Sequence, residues 1–433
     1  MFLTTYFFNK LCTLFYGAWS WWWDTNNILF PFTLIVLAIT WYVWIFTNSS
    51  KKNQPPLPPG PRGLPVVGIL PFLDPELHSC FESLSRTYGP IMRLPMGTKV
   101  GIVVSSPFAA REMLRDHDIT FANRDVPELA SAAVAKGDSD IVFSPHGPEW
   151  QMLRKVCVRE VLGSATLDSV YYLRRREIRN TGRVSNSRGS VNVSDCFKCN
   201  NKHVVGGQER ASIGADIQVV VVDSMELLAK PNLSDFFPGL AQFDLQGLKK
   251  QLLGIVMRFN RIFDAITDQG PRLEGGRQNK DFLQVLLQLK NEGDAKTPLT
   301  MTHLKVLFMD MVLGGTETTS NAIEFAMAEM MNKPEVMKKA QEELETVVGK
   351  DSIVEESHIN KLPYLQAILK EVLRLHPVLP LMVPHCPSQT CIIGGYTIPK
   401  GARVFINGPF NLGKPVGVSS IEVFGWKMGV QRS

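Results

Sequence analysis

The spacing of apolar residues divides this chain into one continuous run, a set of helical repeats and two patches of short alternation. Residues 28–46 are almost all apolar, and no charge occurs from Thr25 to Ser50. A helix of about 20 such residues crosses a bilayer core. Trp21, Trp22 and Trp23 precede the run and Trp41, Tyr42 and Trp44 lie near its end, as interfacial aromatic belts do. Lys51 and Lys52 follow directly, whereas only Lys10 stands upstream, so residues 51 onward are expected in the cytosol. Residues 55–65, with six prolines among them, predict a stiff extended spacer.

Helical spacing marks residues 81–88, 106–115, 149–162, 167–179, 208–230, 245–267, 281–291, 298–332, 334–348 and 362–376. Ser106 at an N-cap followed by Pro107, and Gly163 after residue 162, punctuate two of these. Alternating or apolar runs at 91–96 and 100–104, with Gly97 between them, predict paired strands. Short strands are expected again over 391–407, where Gly394-Gly395 and Pro399-Lys400-Gly401 supply turns. Residues 181–207 are rich in Asn, Ser, Gly and Arg and show no period. The fold class that follows is mainly α with a minor β-sheet. Three parts are expected: an anchor over 1–50, a hinge over 51–66 and one large domain over 67–433.

Composition alters this picture little. The 433 residues carry a net charge of +5, too weak a bias to argue for nucleic acid. The seven cysteines are few and odd in number, which suits free thiols in a reducing compartment. Cys196 and Cys199 have metal-ligand spacing but no second pair to complete four ligands. Arg174, Arg175, Arg176, Arg179 and Arg183 form a basic run that reads as a solvated helix face, or as a docking face for an acidic partner.

Candidate chemistry sits on three helices. Gly314 and Gly315 stand inside the longest one, where each costs roughly 1 kcal/mol against alanine. Thr318 lies on the same face, and Glu317 is a carboxylate on an apolar helix. A hydroxyl and a carboxylate beside an opened backbone can hold a small ligand and relay protons to it; by themselves they also fit a glycine-tolerant helix crossing. Trp150 and Arg154 are four apart, which suits joint capture of a carboxylate or a surface cation–π pair. Glu371 and Arg374 are three apart, and read alone they are an exposed pair worth roughly 0.2–0.5 kcal/mol.

In this order and at these separations the motifs resemble those of the cytochrome P-450 monooxygenases. The resemblance runs from the apolar run to about Asn407 and includes W-x-x-x-R at Trp150 and Arg154, (A/G)-G-x-(D/E)-T-T at 314–319 and E-x-x-R at 371–374. Val383-Pro384-His385 and Gly395-Tyr396-Thr397-Ile398-Pro399 look like the plant microsomal branch. Pro231-Asn232-Leu233-Ser234-Asp235-Phe236 and Met309-Asp310-Met311 are similar to terpenoid hydroxylases of the geraniol 8-hydroxylase type. The resemblance implies a haem cofactor, with Trp150, Arg154 and His385 on its propionates and Gly314 and Gly315 forming the oxygen groove. It implies that Glu317 and Thr318 deliver protons, and that Glu371 and Arg374 lock the core beneath the haem. It also implies an NADPH–cytochrome reductase as partner, membrane lipid, a small apolar substrate, and an endoplasmic reticulum location with one membrane pass.

Two departures from the family pattern stand out. No cysteine follows Cys391, so the axial thiolate of the F-x-x-G-x-x-x-C-x-G motif is absent from residues 1–433 and no metal ligand is assigned. Residues 196–206 replace a family helix. The expectation is a monooxygenase by ancestry that is truncated and inactive as written. The alternative is a non-catalytic membrane-bound remnant, or the product of a disrupted or mis-spliced gene.

Overall fold

A computed structural model describes residues 29–47, 55–133, 140–172, 174–176, 178–179, 211–268, 282–292, 299–408, 420–423 and 426–429. The first element, α1 (Leu29–Thr47), covers the apolar run. Its described side chains, residues 32–43, are almost all exposed, with Phe32, Leu37 and Trp41 more than half uncovered. Among the described residues no helix is long and apolar enough to cross a membrane. Trp21 to Trp23, the 196–206 segment and the Cys196–Cys199 pair lie outside the described residues.

The proline-rich segment lies along the sheets. Pro59 accepts a hydrogen bond from the Arg93 amide at 2.8 Å, and Pro56 accepts from the Thr397 amide at 3.0 Å. A Cβ at Gly60 would stand 1.9 Å from the Arg93 carbonyl oxygen, so only glycine allows this approach.

After α2 (Leu77–Tyr88), β1 (Ile91–Met96) and β2 (Lys99–Val104) form the expected hairpin, antiparallel with Ile91 opposite Val104. Ser106 caps α3 (Pro107–Arg111), which widens into a π-helical turn over Glu112–Asp116. The pattern misses α4 (Glu128–Ala133). The next helix, α5 (Pro148–Lys155), also widens, over Val156–Val161, where the Leu162 amide reaches back to Cys157 at 2.9 Å. A single apolar stripe therefore does not distinguish α from π winding. The stripe over 167–179 is helical where it is described, interrupted by a turn at Val170 after α6 (Ser164–Ser169), and the Arg174 amide reaches back to the Val170 carbonyl at 3.2 Å.

Beyond the undescribed stretch come α7 (Ala211–Ala229), the short α8 (Leu233–Phe236), α9 (Leu248–Asp268), α10 (Phe282–Glu292) and the 32-residue α11 (Met301–Asn332). Then follow α12 (Pro334–Val347) and α13 (Pro363–Leu375). Strands β3 (Cys391–Ile393) and β4 (Tyr396–Ile398) form a hairpin, and β5 (Arg403–Ile406) joins β2 in parallel. A third hairpin, β6 (Ser420–Val423) and β7 (Trp426–Gly429), lies beside α13.

The largest core gathers α5, α7, α9, α10 and the first half of α11 around Leu153, Val220, Phe263, Leu286 and Phe308. A separate core lies on one face of the sheet around Ile102, Phe121, Ile393 and Val404. The basic run does not face solvent freely. Arg174 pairs with Glu356 at 2.7 Å, and Arg175 and Tyr171 both engage Glu355. Asn232, an N-glycosylation acceptor by sequence, is buried and holds the Ser234 amide at 3.1 Å.

Candidate functional site

The fully buried residues of α11 are concentrated at its start, from His303 to Val312, and do not recur before Met330. Between them the helix is only partly covered, and Gly314 and Gly315 are exposed. A Cβ built on either glycine meets nothing within 4 Å. The glycines thus leave open space along one flank of the helix, just past its packed first part. Thr318 lies one turn on, and its hydroxyl donates to the Gly314 carbonyl at 2.5 Å. Thr316 and Ser320 likewise bond back to Val312 and Thr316. Three hydroxyls bonded to their own helix soften the backbone ladder here. Glu317 is half-buried on the same stretch.

α11 is anchored upstream of this opening. Thr300 and His303 form a reciprocal cap, and the other His303 nitrogen meets Glu149 of α5 at 2.6 Å. Asp310 accepts from the Ile141 amide at 2.9 Å, and burial drives its pKa up to about 7, aided by nearby Asp140.

On α5, the Arg154 guanidinium lies 5.3 Å from the Trp150 ring centre. The Trp150 indole N–H donates to the Ile141 carbonyl at 3.0 Å. The two side chains are stacked on one another, and the indole donor is engaged within the protein.

His385 is buried and extends the sheet, exchanging backbone hydrogen bonds with Val404 at 2.9 and 2.8 Å. Its Nδ1 meets the Phe121 carbonyl at 2.7 Å, and its Nε2 lies 2.7 Å from Nη1 of Arg124. A carbonyl only accepts and a guanidinium only donates, so the ring is neutral with its proton on Nδ1. Burial lowers the His385 pKa, and the adjacent Arg124 charge adds to that. Arg124 also donates to the Val383 carbonyl at 2.8 Å. Sequence reasoning missed Arg124, which lies in a stretch without period; its partner is 261 residues away.

Asn123 brings these pieces together. Its carbonyl accepts from Cys386, beside His385, at 2.9 Å. Its side-chain oxygen accepts from His146, just before α5, at 2.7 Å. Arg124, His385, Trp150 and Arg154 are thereby held on connected backbone. Among the described residues no hydrogen bond or ion pair joins them to Glu317 or Thr318.

On α13, Glu371 is fully buried and is gripped by Arg374 through two contacts of 2.7 Å. The exposed-pair reading is thus corrected. The apolar face of α13 carries Glu371 inward beside Ile368 and Val372. The hydrogen bond to Glu371 raises the Arg374 pKa.

A model of the family described as cytochrome P450 matches residues 58–410. The chain belongs to the cytochrome P450 family. It is 34% identical over 391 residues to a flavonoid 3'-monooxygenase of Crocosmia x crocosmiiflora, covering 86% of this chain and 76% of that one. It is 36% identical over 390 residues to a salviol synthase of Salvia pomifera, covering 86% and 77%. It is 35% identical over 395 residues to a 3,9-dihydroxypterocarpan 6A-monooxygenase of Glycine max, covering 86% and 76%. A zebra fish cytochrome P450 structure with progesterone superposes with a TM-score of 0.66 over 77% of this chain and 79% of that one. At 24% identity that likeness shows the fold alone.

The cytochrome P450 cofactor is haem, and monooxygenases of this kind receive electrons from a reductase. Two sides of the site fit a haem. The open flank at Gly314 and Gly315 leaves room beside a hydroxyl and a carboxylate. Arg124 and Arg154 supply cations suited to carboxylates. The four described cysteines do not supply the third side: Cys80 lies on α2, away from α11, and burial pushes Cys157, Cys386 and Cys391 toward the neutral thiol.

Proposed function

We propose that this chain is built as a membrane-anchored haem monooxygenase acting on a small apolar plant metabolite of terpenoid type. The observation that carries this reading is the uncovered glycine-bearing flank of α11, with Thr318 and Glu317 beside it. A bound haem would supply the oxidising chemistry, using dioxygen and electrons that originate in NADPH. Thr318 and Glu317 would hold and pass protons at the open flank. Arg124 and Arg154 would grip the haem carboxylates, held in place by His385 and by the stacked Trp150, and Glu371 with Arg374 would fix the helix beneath it.

The exposed apolar side chains of α1 support a single-pass anchor in the endoplasmic reticulum, with the 51–66 hinge and the 67–433 domain on the cytosolic side. Asn192-Val193-Ser194 and Asn232-Leu233-Ser234 are both glycosylation acceptor sequences, so a glycan on Asn232 reports topology as one on Asn192 does. Glycosylation at either asparagine in microsomes would reverse the orientation.

A second reading is favoured by one observation. Residues 1–433 contain no cysteine after Cys391, and the thiolate ligand is what drives O–O cleavage in such enzymes. Expressed alone, these residues would lack that ligand and its chemistry, and the loss of helical pattern at 196–206 is a second departure from the family pattern. The test compares the 433-residue chain with one that carries a family-type C-terminal segment after Asn407. The reduced carbonyl spectrum should be of thiolate type only in the second. A thiolate-type spectrum from the 433 residues overturns the inactive reading, and its absence from the restored chain overturns the haem reading unless repair of 196–206 brings it back.

A further inference from the structure

Ile141 is held from both sides, through the two peptide groups that flank its Cα. Its N–H donates to Asp310 Oδ2 on α11 at 2.9 Å, and its carbonyl accepts from the Trp150 indole on α5 at 3.0 Å. The turn that carries it is closed on itself. Asp140 Oδ1 accepts from the amides of Phe143 and Ser144 at 2.8 and 2.7 Å, and the Asp140 amide donates to the Ser144 hydroxyl at 2.9 Å. Asp140 and Ser144 are both buried. A turn locked this way moves as a unit, so whatever fixes Ile141 aims its carbonyl as well.

Asp310 lies one helical turn before Gly314, and its carboxylate is costly where it stands. Burial and the neighbouring Asp140 both disfavour its charge, and the Ile141 amide is the group that offsets them. An apolar side chain would fill the place without that cost but would release Ile141. The Trp150 indole has a single N–H, so the direction of the Ile141 carbonyl decides where that hydrogen points.

We propose that Asp310 is a positioning residue that sets the direction of the Trp150 indole N–H through Ile141. It thereby couples the glycine-bearing helix to the carboxylate grip on α5. The inference deepens the reading of Arg154 as a haem-carboxylate contact, because the guanidinium stacks on the Trp150 ring, and rests on that reading for its purpose, though not for its geometry.

The test uses the 433-residue chain with nitrogen-15 in its tryptophans and isoleucines, the Ile141 amide being assigned by its loss in Ile141→Val. The Trp150 indole signal is assigned by its loss in Trp150→Phe. Asp310→Asn keeps a neutral acceptor for Ile141, and Asp310→Leu removes it. In Asp310→Leu the Trp150 signal should move toward that of a free indole while the other indoles stay in place. In Asp310→Asn the signal should stay near its original position, with exchange of the Ile141 amide and the Trp150 indole accelerated by a similar factor. That paired acceleration decides the matter even if Asp310→Leu does not fold. A Trp150 signal and exchange rate that ignore a change at Ile141, or no change at either group, overturn the proposal. In the chain with a restored C-terminus, Asp310→Leu should weaken haem uptake by about tenfold and Asp310→Asn much less, as loss of a supporting contact does. If the restored parent takes up no haem, the functional reading fails while the indole measurement still stands or falls by itself.

Discussion

Nη1 of Arg124 lies 2.7 Å from Nε2 of His385, a nitrogen that can only be accepting there because Nδ1 donates to Phe121. The ring thus orients the guanidinium and does not itself offer a proton to a ligand. Binding of a carboxylate by His385 would require its proton to change nitrogen, or the ring to become charged, and burial opposes the latter.

His385 should therefore weaken the fold in acid. Its folded pKa lies below the ordinary 6.5. Its contribution to stability is whole above that value and is lost as the pH falls from there toward the folded pKa. His385→Phe should cost about 1–3 kcal/mol by leaving Phe121 and Arg124 without their partner, and it should remove the acid-dependent share. Urea melts at pH 7.5 and 5.5 measure both.

Asp310 works in the opposite sense. Its folded pKa of about 7 lies above the ordinary 3.8, so the folded state holds the proton longer than the unfolded chain does. Its contribution is greatest below about pH 4 and is lost as the pH rises through 7, by on the order of 4 kcal/mol in all. Asp310→Asn should flatten this slope and raise stability at pH 8. Parallel pH-dependent melts of parent and variant that show the same slope would contradict it.

Removing Arg374 should be severe. Arg374→Ala leaves the fully buried Glu371 carboxylate uncompensated, a change that costs about 3–5 kcal/mol. Arg374→Lys should recover only part of that, because an ammonium cannot reproduce the paired contacts. Replacing Glu371 by Gln together with Arg374 by Met should be milder than Arg374→Ala alone. Denaturant midpoints of the three variants order them.

Gly314→Ala and Gly315→Ala should each stabilise the 433-residue chain by about 1 kcal/mol, since the helix gains propensity and the new methyl meets nothing within 4 Å. In a chain with a restored C-terminus the same substitutions should weaken haem uptake or oxygen use. Thermal melts and haem titration together show whether the glycines are kept for the space beside them.

Most helices and the β1–β2 hairpin were legible because their apolar period is local and long. The glycine pair was legible because it interrupts a strong helix without ending it. Neither widened turn was, because a π step changes hydrogen-bond partners and leaves the apolar stripe intact. Arg124 and the Asp310–Ile141 contact were illegible for another reason. Their partners lie 261 and 169 residues away, and only the register of β5 and the packing of α11 on α5 bring them together. The burial of Glu371 could be anticipated only by placing it on the apolar face of α13, a step that charge spacing alone does not supply.

The docked proline segment gives the sheet a terminus as well as a tether. β1 is an outer strand, paired with β2 on one side. On the other side, its Arg93 amide is already taken by the carbonyl of Pro59. Proline has no N–H to offer to a further strand. The segment therefore accepts from the sheet and passes nothing on, which blunts an edge that could otherwise recruit another chain. Its prolines guard the sheet edge against self-association.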